Sequence, residues 1–509
     1  MSRPDNHRIV PWTALVLLAG AVRFWGLGAH GLDCDEILYL TSATGGTLVS
    51  PIGPGAPTFT VEDFWRANSV SGLREAVARQ DGGNGVLQAL ALHGWIALFG
   101  TGDASVRVPS ALAGVGLVLL TYALARSLWS EGVGVVAAVM LSLHPMLVRY
   151  SREARGFALA TLLALAATSV LVRVEQGAAA ARWRLRAVAY GLLTAGALLS
   201  HYLVVAVFAG HLAFALLCVR ERRVWKSLAL GWTLAVIMVA AWMAVGGADG
   251  VRHMTARNEM LRRRVEEQTA RHERPPTIRN LGHDLAVLAQ HLTGNERDLD
   301  ARMSLTEPLL LVVPVALVVA ALLRRPEAGP AAILLVILAT AAPAQAIVLA
   351  LAARHTIALI PRYSLFSAPY LVLLMAAGLS AIMNLRGWGR AVAVAAFTVL
   401  GTLWVRSLPR VWSDDPRFRP PSPYADGAAR LAAMALPSDV VVHAHWQSAR
   451  LCALYLPRDA SFAQTVKLQP AAAPLRVFRE GRPVFELDIP RACPKNAFAE
   501  LATTGLTGR

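Results

Sequence analysis

The stretch that decides the fold runs from Val10 to Leu40: VPWTALVLLAGAVRFWGLGAHGLDCDEILYL. Its first part is apolar as far as Gly28, and a helix crosses a bilayer in roughly 20 such residues. Asp33, Asp35 and Glu36 then fall within four positions. A short basic start precedes the run and no small-residue cleavage site follows it, so it reads as a retained span rather than a signal peptide. Arg23-Phe24-Trp25 reads as an interfacial anchor. With the N-terminus cytoplasmic, the three acids emerge on the outer side and open a loop reaching about residue 85.

Composition generalises that reading. Of 509 residues, 55% are hydrophobic and 16% charged, and the mean hydropathy is +0.47. Soluble domains carry about a quarter charged residues. The net charge of +16 raises the question of nucleic acid, but its distribution excludes that partner. The basic residues cluster in short connectors: Arg173, Arg182, Arg184 and Arg186; Arg220, Arg222, Arg223 and Lys226; Arg324 and Arg325; Arg386 and Arg390. That is the pattern the positive-inside rule produces.

Further spans are expected near 106–125, 132–149, 157–172, 186–204, 205–219, 228–246, 307–323, 331–352, 364–384 and 391–406, about eleven in all with the first. The apolar segment from Leu87 to Gly100 is short for a span and reads as an interfacial helix. This topology puts the Arg-rich connectors inside. It puts 29–105, the turn at 152–156, the 247–305 loop and everything beyond about Ser407 outside. Residues 251–272 read as a charged helix. Beyond Ser407 the chain turns soluble in character: a Pro-rich linker (Pro416, Pro420, Pro421, Pro423), a strand at 439–444 and a helix around 447–455. The fold class is therefore an all-α polytopic membrane protein, domain 1–407, with interfacial helices in its first outer loop and a small extracytoplasmic α/β domain at 408–509. Cys452 and Cys493 fall in that domain, and whether they pair is left open.

The acids at the end of the first span have a bland reading, capping of a helix that starts at the Ile37-Leu38-Tyr39-Leu40 run. Other polar groups at outer helix ends raise a functional one. They lie in LFGTGDASVRVPSAL (98–112), YSREARGFAL (150–159), His201-Tyr202 and Pro361-Arg362-Tyr363. Arg107, Arg155 and Arg362 stand on the outer side, against the charge bias of the chain. Snorkelling at the interface is the plain alternative for each.

This order of motifs resembles the GT-C membrane glycosyltransferases, and most of all the bacterial branch related to protein O-mannosyltransferases and to the aminoarabinose transferase that modifies lipid A. The resemblance covers roughly residues 10–385. It departs at Gly85-Val86-Leu87-Gln88, where the family often has a Pro-Pro-Leu-Tyr type start, and at Phe157, where Tyr is common. It implies transfer of a sugar from a polyprenyl-phosphate carrier to an acceptor at the outer face of the cytoplasmic membrane. Asp35 aligns with the family's catalytic Asp and takes the base role, with Glu36 as its supporting partner. Asp33, outside the motif, suits capping. Arg107, Arg155 and Arg362 are the candidate ligands of the leaving phosphate. Glu153 either completes the acidic site or pairs with Arg152 or Arg155. His93, His201, Tyr202 and Tyr363 are candidates for substrate contact. These groups are expected to gather at the non-cytosolic rim of the bundle.

No ligand-spacing motif such as HExxH is present, so no essential metal or other cofactor is expected, although His93, His201, Glu36 and Glu153 leave a divalent ion open. The acceptor is a protein, a glycolipid or a polysaccharide; the sequence does not choose among them, nor does it name the sugar. Two other readings compete: a lipid or sugar transporter or flippase, and another polytopic envelope transferase. Transporters place polar groups near the midplane and carry internal repeats, whereas here the ionisable groups gather at one face and no repeat is visible.

Overall fold

The computed structural model describes residues 9–29, 31–45, 58–60, 69–80, 82–177, 182–252, 281–294, 306–323, 329–353, 359–385, 387–412, 441–445, 461–465, 473–479 and 482–489. The chain is a largely helical, multi-pass membrane protein. Six described helices are long and apolar enough to cross a membrane, or seven if one bent pair counts as a single span. Four further apolar helices are shorter. The chain divides into two compact units: one holds 1–25, 108–247 and 252–411, the other 26–107, 248–251 and 412–509.

The first unit is the helical one. It contains α1 (Ile9–Phe24), most of α5 (Asp103–Leu128), α6 (Glu131–Leu143), α7 (Pro145–Ser151), α8 (Phe157–Glu175), α9 (Trp183–Ser200), α10 (Val205–Cys218) and α11 (Arg222–Trp242). It continues through α12 (Leu281–Leu292), α13 (Thr306–Leu323), α14 (Pro330–Ala353), α15 (Ala368–Met383) and α16 (Gly389–Trp412). The expected span at 132–149 is broken. Pro145 has no N–H to give and forces the preceding residue out of helical geometry; His144 is accordingly extended (φ −64, ψ 113), and α6 and α7 meet at 65°.

Small residues set how closely these helices pack, as is usual where lipid tails leave no hydrophobic drive between them. A Cβ on Gly191 of α9 would stand 2.7 Å from the Gly231 carbonyl oxygen of α11. A Cβ on Gly378 of α15 would collide with the backbone carbonyl of Leu317 in α13. Backbone cannot rotate away as a side chain can. Gly378→Leu is therefore expected to lower stability by about 1–3 kcal/mol or more, read as an earlier loss of the detergent-solubilised monodisperse peak on heating.

The second unit combines the first loop with the C-terminal segment. Helices α2 (Cys34–Thr44), α3 (Val70–Gln80) and α4 (Val86–Phe99) belong to it, with β1 (Thr58–Thr60), β2 (Val441–His445), β3 (Ser461–Thr465), β4 (Ala473–Arg479) and β5 (Arg482–Ile489). The strands form one sheet in the order β1-β3-β2-β4-β5. Strands β2 and β3 run parallel, while β1 pairs antiparallel with β3 through Thr58↔Ala463, Phe59↔Phe462 and Thr60↔Ser461. The first loop segregates with the C-terminal strands because it supplies the sheet's edge.

Helix α2 ends at Gly45, whose φ of 75° suits a left-handed cap. Tyr39 of α2 lies across Gly85, where an added Cβ would come within 2.9 Å of its ring. The charged helix expected at 251–272 lies, beyond residue 252, outside the described residues. So do the Pro-rich linker, the helix at 447–455 and the Cys452 and Cys493 pair.

Candidate active site

In the second unit the three acids take separate jobs. Asp33 is the N-cap of α2: its Oδ1 accepts from the Glu36 backbone N–H at 2.7 Å, and its own N–H donates to Glu36 Oε2 at 3.0 Å. This reciprocal box satisfies two otherwise orphaned donors. Glu36 is also gripped from α5. Arg107 donates Nε to Oε1 and Nη2 to Oε2, each at 2.7 Å. The same guanidinium donates Nη1 to Leu27 O at 2.9 Å and Nη2 to Gly31 O at 3.0 Å. Exposures of 1% for Arg107 and 0% for Glu36 put the pair wholly inside the protein.

Arg107, expected as a phosphate ligand, has its fork on a bidentate carboxylate and two carbonyls. Glu36, expected as the supporting partner of Asp35, fastens the start of α2 to Arg107. Asp35 is the partly exposed residue between them, in the first turn of α2, where the partial positive charge of the helix end favours a carboxylate. His93 of α4 gives Nδ1–H to Ala43 O at 2.8 Å, which ties α4 to α2 and leaves Nε2 as the ring's acceptor.

In the first unit the turn between α7 and α8 carries the other expected groups. Arg152 donates Nη1 to Arg23 O at 2.8 Å and to Trp25 O at 2.6 Å. It thereby satisfies carbonyls at the C-terminal end of α1. Glu153 lies 3.6 Å from Arg155 Nη1 and 3.6 Å from Arg149 Nε. These are ion pairs at a distance too long for hydrogen bonds, so of the two partners foreseen for Glu153 the structure selects Arg155, and it adds Arg149. The Arg155 carbonyl is held by Ser110 Oγ at 3.2 Å.

Aromatic rings order this end of the bundle. The Arg155 guanidinium sits 4.7 Å from the centre of the Phe157 ring, a cation–π arrangement. Phe157 stacks on His201 at 4.5 Å, and Phe366 lies 5.3 Å from His201. Phe366 belongs to the 3-10 turn that also carries Arg362. Arg362 stands at the start of the 3-10 turn Pro361–Ser367, over its neighbour Tyr363 at 5.4 Å. Tyr202 accepts from Trp242 Nε1 at 2.9 Å, just before the π-helical stretch Met243–Gly247.

Glu153, Arg155, Phe157, His201 and Phe366 form one connected set, and Arg362 lies in the turn that carries Phe366. Arg149, Phe157 as a platform, Phe366 and Trp242 went unread. Arg149 stands in the quoted YSREARGFAL region's margin, four residues before Glu153 on one helical face, and that spacing was the available signal. Among the described residues no three His, Cys, Asp or Glu side chains come together as a metal site.

What the arrangement offers is a buried guanidinium, Arg155, and a half-buried one, Arg362, on either side of aromatic walls, a chemistry suited to an anion. Over 89% of its length the chain shares the GT-C fold of a solved structure. The family model described as dolichyl-phosphate-mannose-protein mannosyltransferase matches residues 85–245. Comparison with curated proteins finds no match. Among solved structures, ArnT from Cupriavidus metallidurans bound to undecaprenyl phosphate is similar with a TM-score of 0.56 at 14% identity, covering 89% of this chain and 86% of that one. The apo oligosaccharyltransferase of Archaeoglobus fulgidus gives 0.52 at 11% identity, over 89% of this chain and 64% of its own. The same archaeal enzyme, AglB, in complex with an inhibitory peptide and a dolichol-phosphate gives 0.50 at 11%, over 91% and 64%.

Proposed function

We propose that this chain is a glycosyltransferase of the cytoplasmic membrane that takes a sugar from a polyprenyl-phosphate donor and gives it to an acceptor at the outer face. The observation that carries the reading is the aromatic chain that links Arg155 to the Arg362 turn, Arg155 over Phe157, Phe157 on His201 and His201 beside Phe366, from segments about 200 residues apart in sequence, in a fold whose similar structures hold undecaprenyl phosphate and dolichol-phosphate. In the proposed reaction an acceptor hydroxyl or amine attacks the anomeric carbon as its proton passes to Asp35. The bond from that carbon to the phosphate oxygen breaks with its electron pair on the phosphate. Arg155 and Arg362 stabilise the charge that develops there. The products are a glycoside and polyprenyl phosphate, with inverted anomeric configuration because a single displacement occurs. Each of these steps is assigned to this chain's own side chains. The Glu36–Arg107 pair fixes the helix start that presents Asp35, and His93, Tyr202 and Tyr363 are assigned to substrate contact.

Removing one charge-assisted phosphate ligand costs about 1.5–3 kcal/mol, or roughly tenfold to a hundredfold in affinity. Arg362→Ala and Arg155→Ala are therefore each expected to weaken binding of undecaprenyl phosphate to the purified protein by about that factor. Titration of the lipid phosphate against protein in nanodiscs measures it. Wild-type affinity in both variants contradicts the assignment.

A further inference from the structure

Deep among the helices of the first unit lies a polar chain that the proposed reaction does not use. His211 of α10 is fully buried. Its Nδ1 is 2.9 Å from the Tyr190 hydroxyl of α9, and its Nε2 is 2.9 Å from Thr168 Oγ1 of α8. Thr168 Oγ1 also meets the Tyr370 hydroxyl of α15 at 2.8 Å, and Trp232 Nε1 of α11 donates to the Tyr190 hydroxyl at 3.2 Å. Five helices are joined through one imidazole.

The bonds can all be satisfied at once. Trp232 donates to Tyr190, Tyr190 donates to His211 Nδ1, and His211 Nε2–H and Tyr370 donate to Thr168. Thr168 gives its own proton to Ala164 O at 2.9 Å. An ionisable group among membrane helices is seldom there without a role, and hydrogen bonds between such helices add little stability apiece because the separated helices find other partners. Directional bonds do fix something that apolar packing leaves loose, namely how far one helix is slid along another.

Those same helices carry the site. Helix α8 begins at Phe157, directly after Arg155 and Gly156. Helix α9 ends at Ser200, before His201, and α10 begins at Val205. Helix α15 follows the turn that holds Arg362. At 1.5 Å per residue the bonded groups lie roughly 10–17 Å from those ends of α8, α9 and α10 along the helix axes, and Tyr370 stands two residues past the start of α15.

We propose that His211 is a positioning residue: it sets the axial register of α8, α9, α10 and α15, and through it the distance between Arg155, His201 and Arg362 on which capture of a lipid-linked phosphate depends. The claim rests on the phosphate reading above. The test titrates undecaprenyl phosphate against purified wild type, His211→Leu, His211→Gln and Arg362→Ala. Glutamine still offers one acceptor and one donor; leucine offers neither. The folded His211→Leu protein is expected to bind about tenfold more weakly, with affinity restored by His211→Gln. If His211→Leu misfolds, Thr168→Val, which removes the hub oxygen at similar volume, takes its place with the same expected loss. A role in stability alone predicts lower melting with unchanged affinity of the folded protein, and that result overturns the proposal.

Failure of the phosphate reading shows differently, as no binding by wild type or undiminished binding by Arg362→Ala. In that event the register is read directly, by spin-label distances between Leu159→Cys and Val205→Cys in a background lacking the native cysteines. A shifted or broadened distance in His211→Leu, reversed in His211→Gln, supports the positioning role. An unchanged distance overturns it.

Discussion

Asp35→Asn is expected to lower sugar transfer by about 10²–10⁴-fold while the protein still inserts and accumulates normally, because a positioned general base contributes a factor of that size. Asn keeps the shape of the side chain and can still sit in the first turn of α2, so the change removes the proton-accepting oxygen and little else. Asp33 and Glu36 keep the capping box that starts the helix. The measurement is transfer of a radiolabelled sugar from polyprenyl phosphate by membranes containing equal amounts of either protein. The neighbouring Asp33→Asn should cost far less, since Asn also caps a helix well. Equal rates for Asp35→Asn and wild type would remove Asp35 from the mechanism.

The second large effect falls on folding. Breaking a buried ion pair by removing one partner costs about 3–5 kcal/mol, because the other charge stays buried without compensation. Glu36→Leu and Arg107→Met should each lose an amount of that order, visible as poor yield and early melting. Arg107→Met also frees the Leu27 and Gly31 carbonyls that its guanidinium holds. The double variant is expected to lose less than the sum of the two singles, since neither charge is left behind. Were Arg107 instead a ligand of the donor phosphate, Arg107→Met would melt normally and fail only in lipid binding. Strict additivity in the cycle would likewise contradict the pairing.

A multi-pass bundle of apolar helices was legible in the sequence because lipid imposes a length and a polarity on every helix that crosses it, while against about eleven expected spans six or seven are long enough among the described residues. Recognition of the GT-C fold stands, and with it the reading of α4 as a short helix in the first loop. The break between His144 and Pro145 was legible in principle, since a proline marks it, but the surrounding apolar run reads as one span by hydropathy alone. Strand β2 announced itself through its run of valines. Strand β1, three residues long, did not, because its partner β3 lies some 400 positions away and short strands carry no periodicity of their own. The partner of Arg107 was hidden for the same reason. An arginine at a helix start looks alike in sequence whether it faces a phosphate or a carboxylate, and Glu36 is 71 positions away. His211, Tyr190, Thr168 and Tyr370 are scattered polar residues in four largely apolar helices, and only packing shows that they meet.

Transfer of sugar from a lipid-linked donor is the central claim, and mass analysis of envelope glycans and lipids tests it most directly, comparing cells with the chain, cells lacking it and cells given Asp35→Asn. The account predicts that one glycosylated envelope component disappears in cells lacking the chain, while its polyprenyl-phosphate-linked sugar accumulates. It predicts that the wild-type chain restores the component and Asp35→Asn does not. Identical glycan and lipid profiles in all three would contradict it.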